Sequence, residues 1–255
     1  MLKAADYATL AGAMNIGALR QLIGENNPLI LEIGANVGQT TTEFLKHFPE
    51  AIIHCFEPEP RAMAKFKAAV NSPNVKLYET AIGNQIGTAT FHQSTGEAED
   101  WDQSGSILKP AEQLNKTWPT VLFKTKIEVP ITKLDTWASN HQVKSADFIW
   151  ADVQGAEADL ILGAAEVLRS SKYFYTEYGA LEWYEGQATL DQLSELLFPL
   201  GHLLNLKFGM DAFFVNQNLV DISTLPFPIA PNSYCPCDCG AKYENCHGKN
   251  FAGTV

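Results

Sequence analysis

From residue 29 to residue 216 the chain alternates short apolar runs with segments whose apolar residues recur at helical spacing. Runs at 29–33, 51–56, 75–79, 148–151 and 173–177 have the length and content of buried strands. Stretches at 38–47, 59–70, 155–168 and 190–200 have the period of helices that cover a sheet. This alternation leaves few folds open. Parallel neighbours need a crossover between them, so the helices fall on both faces of one sheet. The predicted class is α/β, a Rossmann-like, mostly parallel sheet. Two further strands are expected at 88–92 and 125–131. The last two runs, 202–207 and 212–216, are separated only by Phe208-Gly209-Met210-Asp211. That is too short for a crossover, so they form a hairpin and the last strand is antiparallel.

Two regions break the rhythm. Residues 94–120 are polar and carry Gly96, Gly105, Pro110 and Pro119. Insertions of that length in a compact domain often form lids or substrate-binding segments, and the turn Ser104-Gly105-Ser106 is a candidate to touch a ligand. After 216, Pro226, Pro228 and Pro231 mark a linker. The organisation read from the chain is a helical segment at 1–28, a main domain at 29–216, and a linker with a small tail at 217–255. Residues 1–21 read as an amphipathic helix, because Asp6 and Arg20 interrupt the apolar residues and no cleavage site follows. No run reaches the roughly 18 apolar residues that a membrane span needs. The formal net charge of -11 argues against binding a nucleic-acid backbone.

The segment Leu31-Glu32-Ile33-Gly34-Ala35-Asn36-Val37-Gly38 ends one strand and opens a helix, with Thr40 in its first turn. Gly34 can adopt angles closed to other residues and admits a ligand to the main chain; Asn36 tolerates the left-handed region. The second strand ends in Phe56-Glu57-Pro58, which places a carboxylate where it can accept hydrogen bonds from both ribose hydroxyls. That device serves NAD and S-adenosylmethionine alike. The loop lacks the third glycine of G-x-G-x-x-G, whose helix start holds a pyrophosphate. Glu32, before the turn, suits an ammonium group better than a phosphate. Both details favour S-adenosylmethionine.

Further blocks extend the pattern. Thr80-Ala81-Ile82-Gly83-Asn84 is followed by Gly87, and Val129-Pro130-Ile131-Thr132-Lys133-Leu134-Asp135 by the strand at 148–151. Next come Asp152-Val153-Gln154-Gly155-Ala156-Glu157 and Gly163-Ala164. Over residues 29–216 this succession resembles the FkbM family of methyltransferases. The resemblance implies a class I methyltransferase fold with a seven-stranded sheet. It also implies O-methylation of a hydroxyl on a sugar, a polyketide or a similar small-molecule acceptor. The expected cofactor-binding residues are Glu32, Gly34, Ala35, Asn36, Gly38, Thr40, Glu57, Pro58, Ala81 and Asp152.

An alcohol must lose its proton as it is methylated, to a general base or under the influence of a divalent metal. Ligands of open parallel sheets sit beyond the carboxyl ends of the strands. Asp152, after the fourth parallel strand, is the first candidate for base or metal ligand, although aspartate there can equally cap a helix. Glu177, ending the apolar fifth strand, is the second. Glu157 is a third, in a first helical turn that favours a carboxylate in any case.

Of five cysteines, four fall in the tail, in Cys235-Pro236-Cys237-Asp238-Cys239 and Cys246-His247. Three thiolates and an imidazole, Cys235, Cys237, Cys246 and His247, complete a tetrahedral structural zinc site. Metal binding would supply folding energy that so short a segment lacks. The run resembles the SEC-C zinc motif, with Cys239 where that motif usually has serine, so Cys239 is an alternative ligand. The resemblance implies docking to a protein partner. Clustered thiols of this kind indicate a cytoplasmic protein rather than a secreted disulfide framework. Two other readings stand beside the methyltransferase: a cofactor-binding fold that chiefly presents its tail to a partner, and an NAD-dependent oxidoreductase.

Overall fold

The computed structural model describes residues 14–96 and 101–225. Its strands are β1 (Leu29–Ile33), β2 (Ile52–Phe56), β3 (Val75–Tyr78), β4 (Ala81–Ile82), β5 (Gly87–Thr95) and β6 (Leu122–Thr132). They continue as β7 (Phe148–Ala151), β8 (Tyr173–Glu177), β9 (His202–Phe208) and β10 (Asp211–Asn216). The helices are α1 (Ile16–Ile23), α2 (Gln39–His47), α3 (Pro60–Ala69), α4 (Glu112–Thr117), α5 (Leu134–His141), α6 (Glu157–Gly163), α7 (Ala165–Arg169) and α8 (Leu190–Leu197).

Seven strands form one sheet in the order β3-β2-β1-β7-β8-β10-β9. The first five are parallel, and β10 runs antiparallel to both of its neighbours. Gly209, with φ 61, and Met210 turn the hairpin between β9 and β10. Strand alternation sorts the apolar residues onto two faces. Leu31, Ile33, Ile149 and Phe174 pack with α5, α6, α7 and α8. Ile30, Ile53, Phe148, Tyr175 and Phe213 pack with α1, α2 and α3. Helix α1 belongs to this second core: Leu19 is fully buried, and the Tyr173 hydroxyl donates to Leu22 O at 3.1 Å.

The register aligns the site. Ile33 pairs with Phe56 of β2 on one side and with Ala151 of β7 on the other. The next residues, Gly34, Glu57 and Asp152, therefore leave the sheet side by side at its carboxyl edge.

The structure departs from the sequence expectation in three places. The strands expected at 88–92 and 125–131 are longer and stand outside the main sheet. They form a ribbon, β5 against β6, with β4 completing a three-stranded sheet. The helix expected at 155–168 is divided into α6 and α7. Its Gly163 touches the backbone of the β4–β5 turn so closely that a Cβ would lie 2.0 Å from Gly83 O. The third, expected over 190–200, ends as an α-helix at Leu197 and closes in a 3-10 turn at Phe198–Leu200, where Pro199 has no N–H to continue the ladder.

Glu32 shares the face of Ile30, beneath α2. Its carboxyl is fully buried, accepts the Thr41 hydroxyl at 2.6 Å and lies 3.5 Å from Cys55 Sγ. Burial raises its pKa to about 7. The folded state thus holds a proton that the unfolded chain releases near the ordinary value of 4.5. Stability from this group is full below that value and is lost as pH rises through about 7. Glu32→Gln keeps an acceptor for Thr41 without the charge. It should stabilise the protein above neutrality by on the order of 3 kcal/mol and change little at pH ~4, in denaturant titrations at the two pH values.

Candidate functional site

The turn after β1 is built from backbone. The N–H groups of Gly34 and Ala35 both donate to Phe56 O, at 2.9 and 3.0 Å. Gly34 has φ 86, and a Cβ there would lie 1.8 Å from Asp152 O, so only glycine lets the β1 and β7 ends approach. Asn36 takes φ 45 and points its N–H at Glu57 Oε2, 2.8 Å away. The Glu59 N–H donates to the other oxygen, Oε1, at 2.7 Å. Burial raises the Glu57 pKa to about 7 against the pull of these two donors. The carboxyl is fixed in place with lone pairs left for a ligand.

Two joined chambers open along this edge. The first, about 580 Å³ with the space open to solvent, has walls from Gly34, Asn36, Glu57, Pro58, Ala81 and Asp152. Apolar faces of Ile82, Phe91, Ile107 and Val153 line it further. The second, about 2000 Å³ with its open mouth, is bounded by Ala35, Thr40, Asp152 and Glu177. Trp101, Trp118, Trp150, Trp183 and Tyr184 give it aromatic walls. Gly34, Asn36, Gln103, Asp152 and Gln154 belong to both chambers. Of the expected cofactor residues, the structure therefore brings together Gly34, Ala35, Asn36, Thr40, Glu57, Pro58, Ala81 and Asp152.

Two others lie elsewhere. Glu32 is turned under α2 and lines neither chamber, because its even place in β1 points it at the helix that covers the sheet. Gly38 also lines neither. Its φ of 84 starts α2, and a Cβ would lie 2.5 Å from Val70 Cγ2, so it serves close packing against α3 and the residue that follows.

The acids meet where the chambers join. The Asp152 and Glu177 carboxyls share Gln154 as a common donor. Gln154 Nε2 donates to Asp152 Oδ1 at 2.6 Å and to Glu177 Oε2 at 3.1 Å. The negative charge of Asp152, followed by burial, pushes the Glu177 pKa well above the carboxylate range; burial raises Asp152. The pair therefore holds protons to higher pH than free carboxyls do. Asp211, raised to about 6 by burial, accepts from the Tyr175 hydroxyl at 2.6 Å. Glu157 lines neither chamber: its Oε1 accepts the Gly155 N–H at 3.1 Å and braces the turn after β7. Its pKa is raised to about 7, chiefly by burial.

The insertion supplies what the sequence did not place. Asp102, Gln103 and Gly105 line the first chamber, and Gln103 and Ser104 the second. Asn36 Nδ2 donates to Asp102 O at 3.0 Å, Lys65 pairs with the Asp102 carboxylate at 2.8 Å, and Ser106 Oγ donates to Gln154 O at 2.7 Å. The Ser104-Gly105-Ser106 turn carried part of this signal; Gln154 stood in the 152–157 block without a role assigned to it, and Tyr184 carried no signal. Among the described residues no group of three or more His, Cys, Asp or Glu side chains is arranged to hold a metal ion. The predicted zinc ligands Cys235, Cys237, Cys246 and His247, with Cys239, lie outside the described residues.

A parallel α/β sheet with a carboxylate at the second strand end and a glycine turn at the first defines a nucleoside-cofactor-binding enzyme, with a second chamber for a reaction partner. Residues 32–208 match the Methyltransferase FkbM domain, and the chain belongs to that family of S-adenosylmethionine-dependent methyltransferases. It is 41% identical over 179 residues to the 2-O-methyltransferase NoeI of Sinorhizobium fredii, covering 69% of this chain and 73% of that one. It is 23% identical over 149 residues to Methyltransferase 1 of Beauveria bassiana, covering 54% of this chain and 59% of its relative. The crystal structure of Methyltransferase FkbM from Methylobacillus flagellatus aligns with a TM-score of 0.48 at 8% identity. That alignment covers 74% of this chain and 44% of the other. S-adenosylmethionine fits the first chamber by chemistry. The Glu57 oxygens suit a ribose diol, the apolar walls a purine, and the bare backbone at Gly34 a close-lying chain.

Proposed function

We propose that the chain transfers a methyl group from S-adenosylmethionine to a hydroxyl of a small-molecule, glycan or polyketide-type acceptor. The observation that carries this reading is Asp152 on the wall common to both chambers, where cofactor and acceptor would meet. Bound in the first chamber, S-adenosylmethionine supplies an electrophilic methyl carbon and a neutral thioether leaving group. The chain's own residues do the rest. Glu57 and the Gly34 turn hold the nucleoside. The aromatic walls of the second chamber present flat apolar surface to an acceptor and exclude water from it. Asp152 accepts the hydroxyl proton as the oxygen–carbon bond forms and the carbon–sulfur bond breaks. Alignment of this kind is worth ~7–11 kcal/mol of barrier.

Calorimetric titration with S-adenosylmethionine and with NAD tests the cofactor, and binding of NAD alone would sink the reading. Glu57→Ala should weaken S-adenosylmethionine binding by roughly 10-fold to 100-fold, since the ribose hydroxyls then lose their carboxylate acceptor. An unchanged dissociation constant would remove Glu57 from the ribose. Methyl uptake from labelled cofactor into a panel of hydroxylated compounds would identify the acceptor.

The division into residues 1–28, 29–216 and 217–255 and the tail's function belong to the same proposal. Cys235, Cys237, Cys246 and His247 would bind one structural zinc, in a reducing, cytoplasmic setting, and form a handle for a protein partner. Metal analysis of the purified chain should find about one zinc per molecule. A Cys237→Ser protein with full occupancy would transfer that ligand role to Cys239.

A further inference from the structure

One residue of the 152–157 block, to which the sequence assigns no role, joins several parts of the site. Gln154 sits in the turn between β7 and α6 with φ 53, a left-handed conformation that costs a side-chain-bearing residue energy. Gly155 follows at φ 95, and a Cβ on it would lie 2.8 Å from the Tyr184 ring, so the tyrosine rests directly on the turn. The Gln154 side chain is engaged at both ends. Its Nε2 donates to Asp152 and Glu177, and its Oε1 lies 2.9 Å from the Tyr184 hydroxyl. That hydroxyl is also 2.8 Å from Ser104 O, and the Gln154 carbonyl accepts from Ser106 Oγ. Two carboxyls demand donors, which fixes one end of the amide, while Tyr184 steadies the other.

Among the described residues, the charged groups facing this pair are acidic: Glu157 of α6, Asp211 of β10 and Glu57 beyond β2, while the Tyr184 phenol and the Tyr175 hydroxyl bonded to Asp211 are neutral. The two N–H groups of Gln154 are neutral donors placed against both carboxyls.

We propose that Gln154 is a positioning residue for methyl transfer: its amide, steadied by Tyr184, keeps the Asp152 and Glu177 carboxyls paired and leaves Asp152 the ionised member facing the acceptor. The proposal rests on the reading of Asp152 as the base. A hydrogen bond to the charged form of a carboxyl favours that form, so the amide sets the pH at which the pair first ionises.

The test needs no methyl acceptor. S-adenosylmethionine carries a positive sulfonium and S-adenosylhomocysteine does not, so the ratio of their dissociation constants reports the charge on carboxyls beside the sulfur. Calorimetric titrations of the full chain from about pH 5 to about pH 9 should show S-adenosylmethionine increasingly preferred as the pair ionises. In Gln154→Leu the midpoint of that rise should move up by about one pH unit or more, because the carboxylate loses its donors. In Tyr184→Phe it should move the same way by less. Native midpoints in both variants overturn the proposal and leave the cofactor assignment standing. If Gln154→Leu has no cooperative melting transition, Tyr184→Phe decides alone. A native ratio flat in pH also overturns the proposal, since it puts the pair out of reach of the sulfonium. A native protein that binds neither ligand overturns the cofactor assignment and takes the proposal with it.

Discussion

Gly34→Ala should leave a protein with no measurable affinity for S-adenosylmethionine and a stability lower by about 3 kcal/mol or more. Two costs act together. The backbone at φ 86 is left-handed, which an alanine adopts only with strain. The added Cβ also has nowhere to go, because 1.8 Å from Asp152 O is far inside contact distance and the obstacle is backbone rather than a movable side chain. The β1 and β7 ends would have to separate, and that shifts the turn forming one wall of both chambers. Gly24→Ala is the matched control. Gly24 has φ 70 but nothing within 4 Å of its would-be Cβ, so that variant should lose only about 1 kcal/mol and bind the cofactor normally. Denaturant titrations and calorimetry on the two proteins separate strain from collision. Equal losses in both would show that the approach of Gly34 to Asp152 is not the constraint.

Asp152→Asn should slow methyl transfer by ~10²–10⁴-fold and, above the pH at which the carboxyl ionises, reduce the preference for S-adenosylmethionine over S-adenosylhomocysteine. The asparagine keeps an oxygen for Gln154 Nε2 and loses the charge and the ability to take a proton at working pH. The pH dependence gives the sharper signature. Burial raises the Asp152 pKa, so the native rate should climb with pH as the carboxyl ionises and then level off, whereas the variant's residual rate should be flat across that limb. Methyl uptake from labelled cofactor, measured over pH with an acceptor found by screening, checks both points. A variant with the native rate would move the base to another group, Glu177 being the nearest.

The sheet was legible because it follows from local pattern. Strand bounds at 29–33, 148–151 and 173–177 coincide with β1, β7 and β8, since a continuous apolar run has few other fates in an alternating chain. The carboxylates at the strand ends were legible for the same reason: Glu57, Asp152 and Glu177 each close such a run. Long-range facts were not. Nothing local tells a strand which sheet it will join, so 88–92 and 125–131 were expected as strands without a partner and only the structure pairs them as β5 and β6. Glu32 shows the limit in one residue. Its position before the glycine turn suggests a ligand contact, but its direction is set by strand alternation and by Thr41 above it, and the carboxyl turns inward. The pairing of Gln154 with Tyr184 was hidden, although Gln154 stands in a quoted block, because it joins positions thirty residues apart in the chain. The insertion read as a polar lid or substrate-binding segment from its length alone, but that Asp102 to Ser106 bond Asn36, Lys65 and Gln154 was not legible.

The double pairing of Ile33 with Phe56 and Ala151 makes β1 the ruler of the enzyme. A residue deleted from the 94–120 connection changes the length of a roof; a residue deleted from β1 displaces Gly34 against both Glu57 and Asp152 at once and inverts which face each side chain meets. Length variation among descendants of this chain should therefore collect in the connections and be absent from five consecutive residues, 29 to 33, whatever acceptor each descendant has come to methylate.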